Sequence, residues 1–243
     1  MPPLLADFIH NRVCKLRCEK FLTRPTSRVH TYRPILACDG GSAKEERCIL
    51  APQGAEWASL LVCRQQDRDA VAAIASRSFV FDELSEQAIE EATIDEAVWS
   101  SMIEGAFTSK AEAARIIRQN KSPANKSEQL VKNNYQALLY VLEHLEDPIT
   151  VQTLIDIARI VTRGASDETV EGFRSIPVYV SGREGIVYTP PDASLVPAMV
   201  DDLIAFITGS EFHPLLKACI AHFYFVYEHP FTDGNGRAAR ALS

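Results

Sequence analysis

The chain has no run of apolar residues approaching the roughly 20 needed to cross a bilayer as a helix, so no membrane association is expected. Its start, Met1-Pro2-Pro3-Leu4-Leu5-Ala6-Asp7, lacks a basic head leading into an apolar stretch, and no signal peptide is expected. The six cysteines (14, 18, 38, 48, 63 and 219) contain no C-x-x-C pair. Cys14-x3-Cys18 with Cys38 and Cys48 is poorly spaced for zinc, and the expectation is reduced thiols in a cytoplasmic protein. Excess positive charge is missing too: the net charge is −7, which gives no global reason to expect nucleic acid. Arg12, Lys15, Arg17, Lys20, Arg24, Arg28 and Arg33 make the beginning locally basic, but such a run is more often a solvated face than a binding surface.

What is present is an ordinary globular composition, 47% hydrophobic and 23% charged over 243 residues, enough for one sizeable core. Residues 1–80 read as an N-terminal segment of unknown role. Asp39-Gly40-Gly41-Ser42 is a turn candidate there, with Cys48-Ile49-Leu50 and Leu60-Leu61-Val62 as strand candidates. From Ser85 the pattern is helical. Ile89, Ala92, Ala97 and Met102 recur at helical spacing, and Gly105 is placed to end the helix in a left-handed conformation. Ser109 with Glu112, and Asn125 with Glu128, read as capping boxes. Thr150 reads as a further cap. Leu130, Tyr135, Leu138, Leu139 and Leu142 form one apolar stripe; Val151, Leu154, Ile155, Ala158 and Val161 form another. The register changes at Gly172. Ile176–Val180 and Ile186–Thr189 read as strands of a hairpin turning at Ser181–Gly185. Val196, Met199, Val200, Leu203, Ile204 and Ile207 stripe the next helix, and Leu215 to Tyr227 is apolar nearly all round, as suits a buried helix.

That helix must stop at Glu228-His229-Pro230, because proline excludes the helical conformation for the residue before it. Gly234-Asn235-Gly236 then lets the backbone curl, and a glycine-rich turn opening a helix is an anion site. Arg237 and Arg240, three apart, suit phosphate oxygens. Asp233 supplies a hard oxygen for magnesium carried on phosphates. His229 is the one group in the loop able to take a proton near neutral pH. Each feature alone is commonplace; the combination reads as a base, a metal ligand and a polyphosphate cradle.

The run His229-Pro230-Phe231-Thr232-Asp233-Gly234-Asn235-Gly236-Arg237-Ala238-Ala239-Arg240 resembles the HPFxDGNGRxxR signature of the Fic (filamentation induced by cAMP) family at every defined position. The resemblance, which covers about 81–243, implies a mainly α fold: a helical bundle with a β-hairpin flap beside the active-site loop. It implies transfer of AMP from ATP to a Ser, Thr or Tyr hydroxyl of a protein, with pyrophosphate leaving. His229 would be the base, and Asp233 would hold Mg2+ on the α- and β-phosphates. Thr232 to Arg237 would bind nucleotide, Gly234, Asn235, Gly236 and Arg237 forming the anion hole. Arg240 would meet the γ-phosphate, and Phe231 would anchor the loop in the core. The family's helix runs well past the signature, so on this resemblance the chain reads as cut short at its C-terminus.

Glu104 sits in the last turn of its helix, at the unfavourable end of the dipole, and requires a cation if it points inward. Ser100-Ser101-Met102-Ile103-Glu104-Gly105 resembles the family's [S/T]xxxE[G/N] inhibitory motif, which implies an inhibitory helix at about 85–105 whose Glu104 pairs with Arg240 while Ser100 steadies the contact. The hairpin at about 176–189 resembles the family's flap, and Gly172-Phe173-Arg174 resembles the run into it; Val178, Tyr179, Val187 and Tyr188 are the expected docking residues for an extended target segment. Rival readings are removal of AMP or transfer of another phosphate-linked group and, in a different class, a non-catalytic nucleotide-sensing or partner-binding module. The sequence leaves the target protein and the oligomeric state, a homodimer included, open.

Overall fold

The computed structural model describes the backbone of the strands at 19–21, 45–50 and 58–64, and then residues 85–167, 169–182, 185–210 and 212–243. Packing divides the chain into one unit of Met1–Phe79 with Pro197–Ile220 and another of Val80–Val196 with Ala221–Ser243.

In the first unit β1 (Glu19–Phe21), β2 (Glu45–Leu50) and β3 (Ala58–Arg64) form an antiparallel sheet in the order β1-β3-β2, with Ile49 opposite Leu60. Both strand candidates of this region fall inside β2 and β3; β1 lies within the basic stretch and was not foreseen. Apart from Lys20, the basic positions 12–33, the turn at 39–42 and Cys14, Cys18 and Cys38 lie outside the described residues.

The second unit is a helical stack. Helix α1 (Glu86–Ile103) starts where Ser85 Oγ accepts from Ala88 N at 3.2 Å, and ends at Gly105, whose φ of +82° is the left-handed turn anticipated. Its buried face matches the expected one only at Ala97. Ile89, Ala92 and Met102 are exposed, whereas Ile94 and Val98 are buried with Ala97, and Ile94 and Val98 cluster with Ala113 and Val131. Helical spacing selects a stripe, but two stripes competed here and the packing partners decided between them. Helix α2 (Lys110–Arg118) is capped by Ser109, yet Glu112 turns its carboxylate to Arg115 instead of closing the box. Helix α3 (Lys126–Glu143) does have its carboxylate reaching back: Asn125 Oδ1 accepts from Glu128 N, and Glu128 Oε2 accepts from Ala124 N at 2.7 Å. Leu142, placed in the apolar stripe, is exposed; Leu130, Val131 and Ala137 are the buried apolar positions. Helix α4 (Val151–Thr162) opens with a reciprocal Thr150–Thr153 box.

Val180–Gly182 (β4) and Gly185–Tyr188 (β5) form the hairpin, shorter than expected. Ile176 to Tyr179 are not paired as a strand, and Gly182 sits opposite Gly185 within the ladder, so Ser181, Gly182 and Gly185, expected in the turn, belong to the strands. Pro177 has no N–H to give a ladder, which explains the late start. Helices α5 (Val196–Gly209) and α6 (Pro214–Glu228) follow, with Met199, Val200, Leu203 and Phe206 buried on α5. Helix α7 (Asn235–Leu242) packs against α4, α3 and α1.

Candidate active site

The site is built on the abrupt end of α6. A helix leaves its last carbonyls without intrahelical partners, and Pro230, lacking an N–H, removes the donor that would have served Val226. Other groups supply the missing bonds. The His229 ring bonds Val226 O through Nδ1, while His229 N still makes the helical bond to Phe225 O at 3.0 Å. Tyr188 Oη donates to Tyr227 O at 2.9 Å, and Arg174 Nη2 to Glu228 O at 3.3 Å. A carbonyl can only accept, so Nδ1 of His229 carries the ring proton and Nε2 is left as the basic nitrogen. Burial lowers the ring's proton affinity below the ordinary histidine value; the Arg174 charge adds to this, while the Val226 bond and Glu104 oppose it. The imidazole is therefore neutral at pH 7. Its residue adopts φ +46°, a left-handed conformation that costs a non-glycine residue about 1–3 kcal/mol and has to be held in place by its surroundings.

Beyond Pro230 the loop is braced from within. Phe231 is fully buried and packs near Phe173 and Phe225, the anchor role expected of it. The Asn235 side chain bonds Phe231 twice, accepting from its N at 2.9 Å and donating to its O at 2.8 Å. Gly234 has φ +80°, and a Cβ there would meet Thr162 Cγ2 at 2.7 Å, so α4 excludes any larger residue. The first-turn amides of α7, at Asn235, Gly236 and Arg237, have no preceding helical carbonyl to bond, which leaves an anion cradle at a helix N-terminus. Thr232 is exposed beside it.

The two arginines diverge. Arg237 is buried, donates to Val161 O through Nη1 and meets both Asp233 oxygens at 3.1 and 3.2 Å through Nη2. Asp233 stays half exposed and also accepts from Gly234 N at 2.6 Å. Arg240 instead reaches α1: its Nε donates to Ser100 Oγ at 2.9 Å, and its Nη2 lies 3.2 Å from Ser100 O and 2.6 Å from Glu104 Oε1. The pair foreseen between Glu104 and Arg240 is thus formed, with Ser100 touching the arginine directly. Neighbouring Ser101 is buried and takes a 2.8 Å bond from Asn134 on α3. Behind Arg240, Glu96 and Ser100 line a cavity of about 10 Å³ with Asn134 and Arg237, and burial raises the Glu96 carboxyl while Arg240 opposes the rise.

Of the expected docking residues, Tyr179 and Val187 are exposed and Val178 is partly so. Tyr188 is different: its hydroxyl is bound to Tyr227 O, its ring lies near Tyr227 and His229, and burial pushes its phenol up. It braces the loop rather than offering itself to a partner. Ile176 and Ile186, not singled out before, are exposed on the same hairpin region. Sequence reasoning named Arg174 only as part of the run into the flap, and it missed Asn134. Nothing in their local spacing marks either as buried.

A mainly helical domain with a neutral histidine, an open helix N-terminus and an arginine beside it is the class that the geometry defines. Residues 148–243 match the model of the Fic/DOC family. It is 30% identical over 164 residues to a protein adenylyltransferase Fic of Nematostella vectensis, covering 64% of this chain and 38% of that one. It is 28% identical over 190 residues to one of Aedes aegypti, covering 73% and 36%. The crystal structure of a Fic family protein from Desulfovibrio desulfuricans G20 superposes with a TM-score of 0.60 at 28% identity, over 72% of this chain and 54% of that one. The chain thus spans less than two-fifths of the length of these two curated relatives.

Proposed function

We propose that this domain transfers AMP from ATP to a Ser, Thr or Tyr hydroxyl of a protein. The observation that carries the reading is the His229 ring: its proton is committed to Val226 O, and burial keeps the ring neutral. A module that merely bound ATP would have no use for a base held in one tautomer. In the step proposed, Nε2 takes the proton of the target hydroxyl as that oxygen bonds the α-phosphorus. The bond from the α-phosphorus to the bridging oxygen breaks, and pyrophosphate carries that electron pair away. The first-turn amides of α7 stabilise the phosphate oxygens, and Arg240 meets the terminal phosphate.

Mg2+ fits this donor set on one condition. Asp233 offers an accessible carboxylate, but among the described residues no group of three or more metal-binding side chains gathers round it. Asp233 would hold a metal that arrives with nucleotide phosphates supplying further oxygens, and Arg237 would have to yield its contact. Bound there, the ion would neutralise phosphate charge. The Glu104–Arg240 pair occupies the arginine that the terminal phosphate needs, so α1 holds the activity low. The flap, two-stranded among the described residues, keeps a free edge for strand addition by the target, with Tyr179 and Val187 exposed beside it. The cysteine spacing supports a cytoplasmic location.

The experiment is incubation with Mg2+ and ATP labelled at the α-phosphate, using wild type, Glu104→Gly and His229→Ala. Covalent label on protein, strongest in Glu104→Gly and lost in His229→Ala, is the expected result. Nucleotide binding with no label in any of them would leave a sensing module as the answer. If label is removed faster by wild type than by Glu104→Gly, AMP removal is the dominant reaction.

A further inference from the structure

We propose that Arg174 is a positioning residue for His229, a single guanidinium that locks the base to both roots of the flap. The inference rests on the reading of His229 as the base.

Arg174 lies just before the flap and is only 4% exposed. Its Nε donates to His229 O at 2.7 Å, and its Nη2 approaches Glu228 O at 3.3 Å, so it holds the carbonyls on either side of the base's Cα. Its Nη1 donates to Ile176 O at 3.2 Å and its Nη2 to Pro191 O at 2.5 Å, which are the carbonyls where the flap leaves and rejoins the body. Its own N–H bonds Pro230 O at 2.9 Å. Three successive carbonyls of the loop, at residues 228, 229 and 230, thus end on one residue.

Only the planar fork of arginine can reach acceptors in several directions at once; a lysine ammonium offers one nitrogen. The load it carries is specific. His229 is held at φ +46°, and rotation about that bond would swing the ring away from Val226 O and release the Nδ1 proton to either nitrogen. Fixing the peptide on each side prevents this. Because the same guanidinium grips both flap roots, a target segment that displaces the flap pulls on the base as well.

Histidine-ring nitrogen NMR on labelled protein tests this directly, with the His229 signal assigned by its loss in His229→Asn. Wild type should show one tautomer protonated at Nδ1. Arg174→Lys and Arg174→Gln should keep the helical circular dichroism yet show a mixture of tautomers. Their kcat for AMP transfer should fall about a hundredfold, the order expected for a misplaced group, with KM for ATP unchanged. A purely structural arginine would lower melting temperature without touching the tautomer; a single Nδ1 tautomer in either folded variant overturns the proposal. If neither wild type nor Glu104→Gly transfers AMP, the reading of His229 as base fails by itself, and the tautomer comparison still decides the positioning. Should neither variant fold, the Arg174 Nε–H of wild type decides: slow exchange and hindered guanidinium rotation support the lock, and free rotation with rapid exchange overturns it.

Discussion

At the His229 end of the loop, the contacts that hold the base run to main-chain carbonyls: Val226 O from its own ring, and Glu228 O and His229 O from Arg174. At the Arg240 end the arginine touches Ser100, through Oγ and O, and its charged partner is a side chain of another helix, Glu104, about one-third exposed. The difference is one of exchangeability. Main-chain carbonyls cannot leave, so the base is built in permanently. A partly exposed carboxylate can be displaced by a phosphate that makes the same kind of bond, since charge-assisted bonds to arginine are alike in strength. The chemistry is fixed at one end, and access to it is set at the other.

Removing the fixed end should have the largest effect. His229→Ala is expected to lower AMP transfer by roughly 10²–10⁴-fold while leaving ATP binding nearly intact, as measured by labelled transfer and calorimetry side by side. Full transfer by this variant would erase the distinction between the two ends.

Breaking the exchangeable end should act in the opposite direction. Glu104→Gly frees Arg240 and is expected to raise transfer, self-modification included, by about tenfold or more, since 1.4 kcal/mol of relief is tenfold. A fall in transfer would mean that Glu104 takes part in the chemistry instead of restraining it.

The seam between the ends is Gly234. Gly234→Ala must force a Cβ against Thr162 Cγ2 from a left-handed backbone, and a loss of about 1–3 kcal/mol in urea unfolding is expected. Gly105→Ala makes the comparison sharper. Its φ is +82°, yet nothing lies within 4 Å of the added carbon, so only the conformational cost of roughly 1–2 kcal/mol applies. Equal losses at the two glycines would show that α4 yields to the loop.

The smallest effect is on pH. Burial, as the leading cause, holds both His229 and His222 below the ordinary value of 6.5. The unfolded chain therefore binds more protons than the native one as pH falls through about 6.5, so stability should be full above that pH and decline below it. Thermal melts of wild type and His222→Gln between pH 7 and 5 check this; the variant should lose less. A slope unchanged by the substitution would show that His222 is not held neutral.

Reading such a chain is easiest where the cause is local. Ser85, Ser109, Asn125 and Thr150 were legible as helix starts because a cap and its amide lie three residues apart. Gly105 and Pro230 were legible for the same reason. The buried face of α1 was not, because Ile89 and Ile94 are equally apolar and only α2 and α3 decide which is covered. Tyr188 reads as a docking residue from its place in the flap alone, whereas its hydroxyl bonds Tyr227 O at the end of α6.

By itself the sequence determined where α1 to α4 begin, that α6 must break at Pro230, and that a base, a carboxylate, a glycine turn and two arginines share one loop. These follow from backbone chemistry over a few residues. The tertiary structure decided what each group touches: that Arg237 turns to Asp233 and Val161, that Arg240 turns to a carboxylate 136 positions away, and that Arg174 grips the loop 54 and 55 positions on. Such pairings depend on which helices pack together, and a guanidinium will accept any oxygen that packing brings within reach.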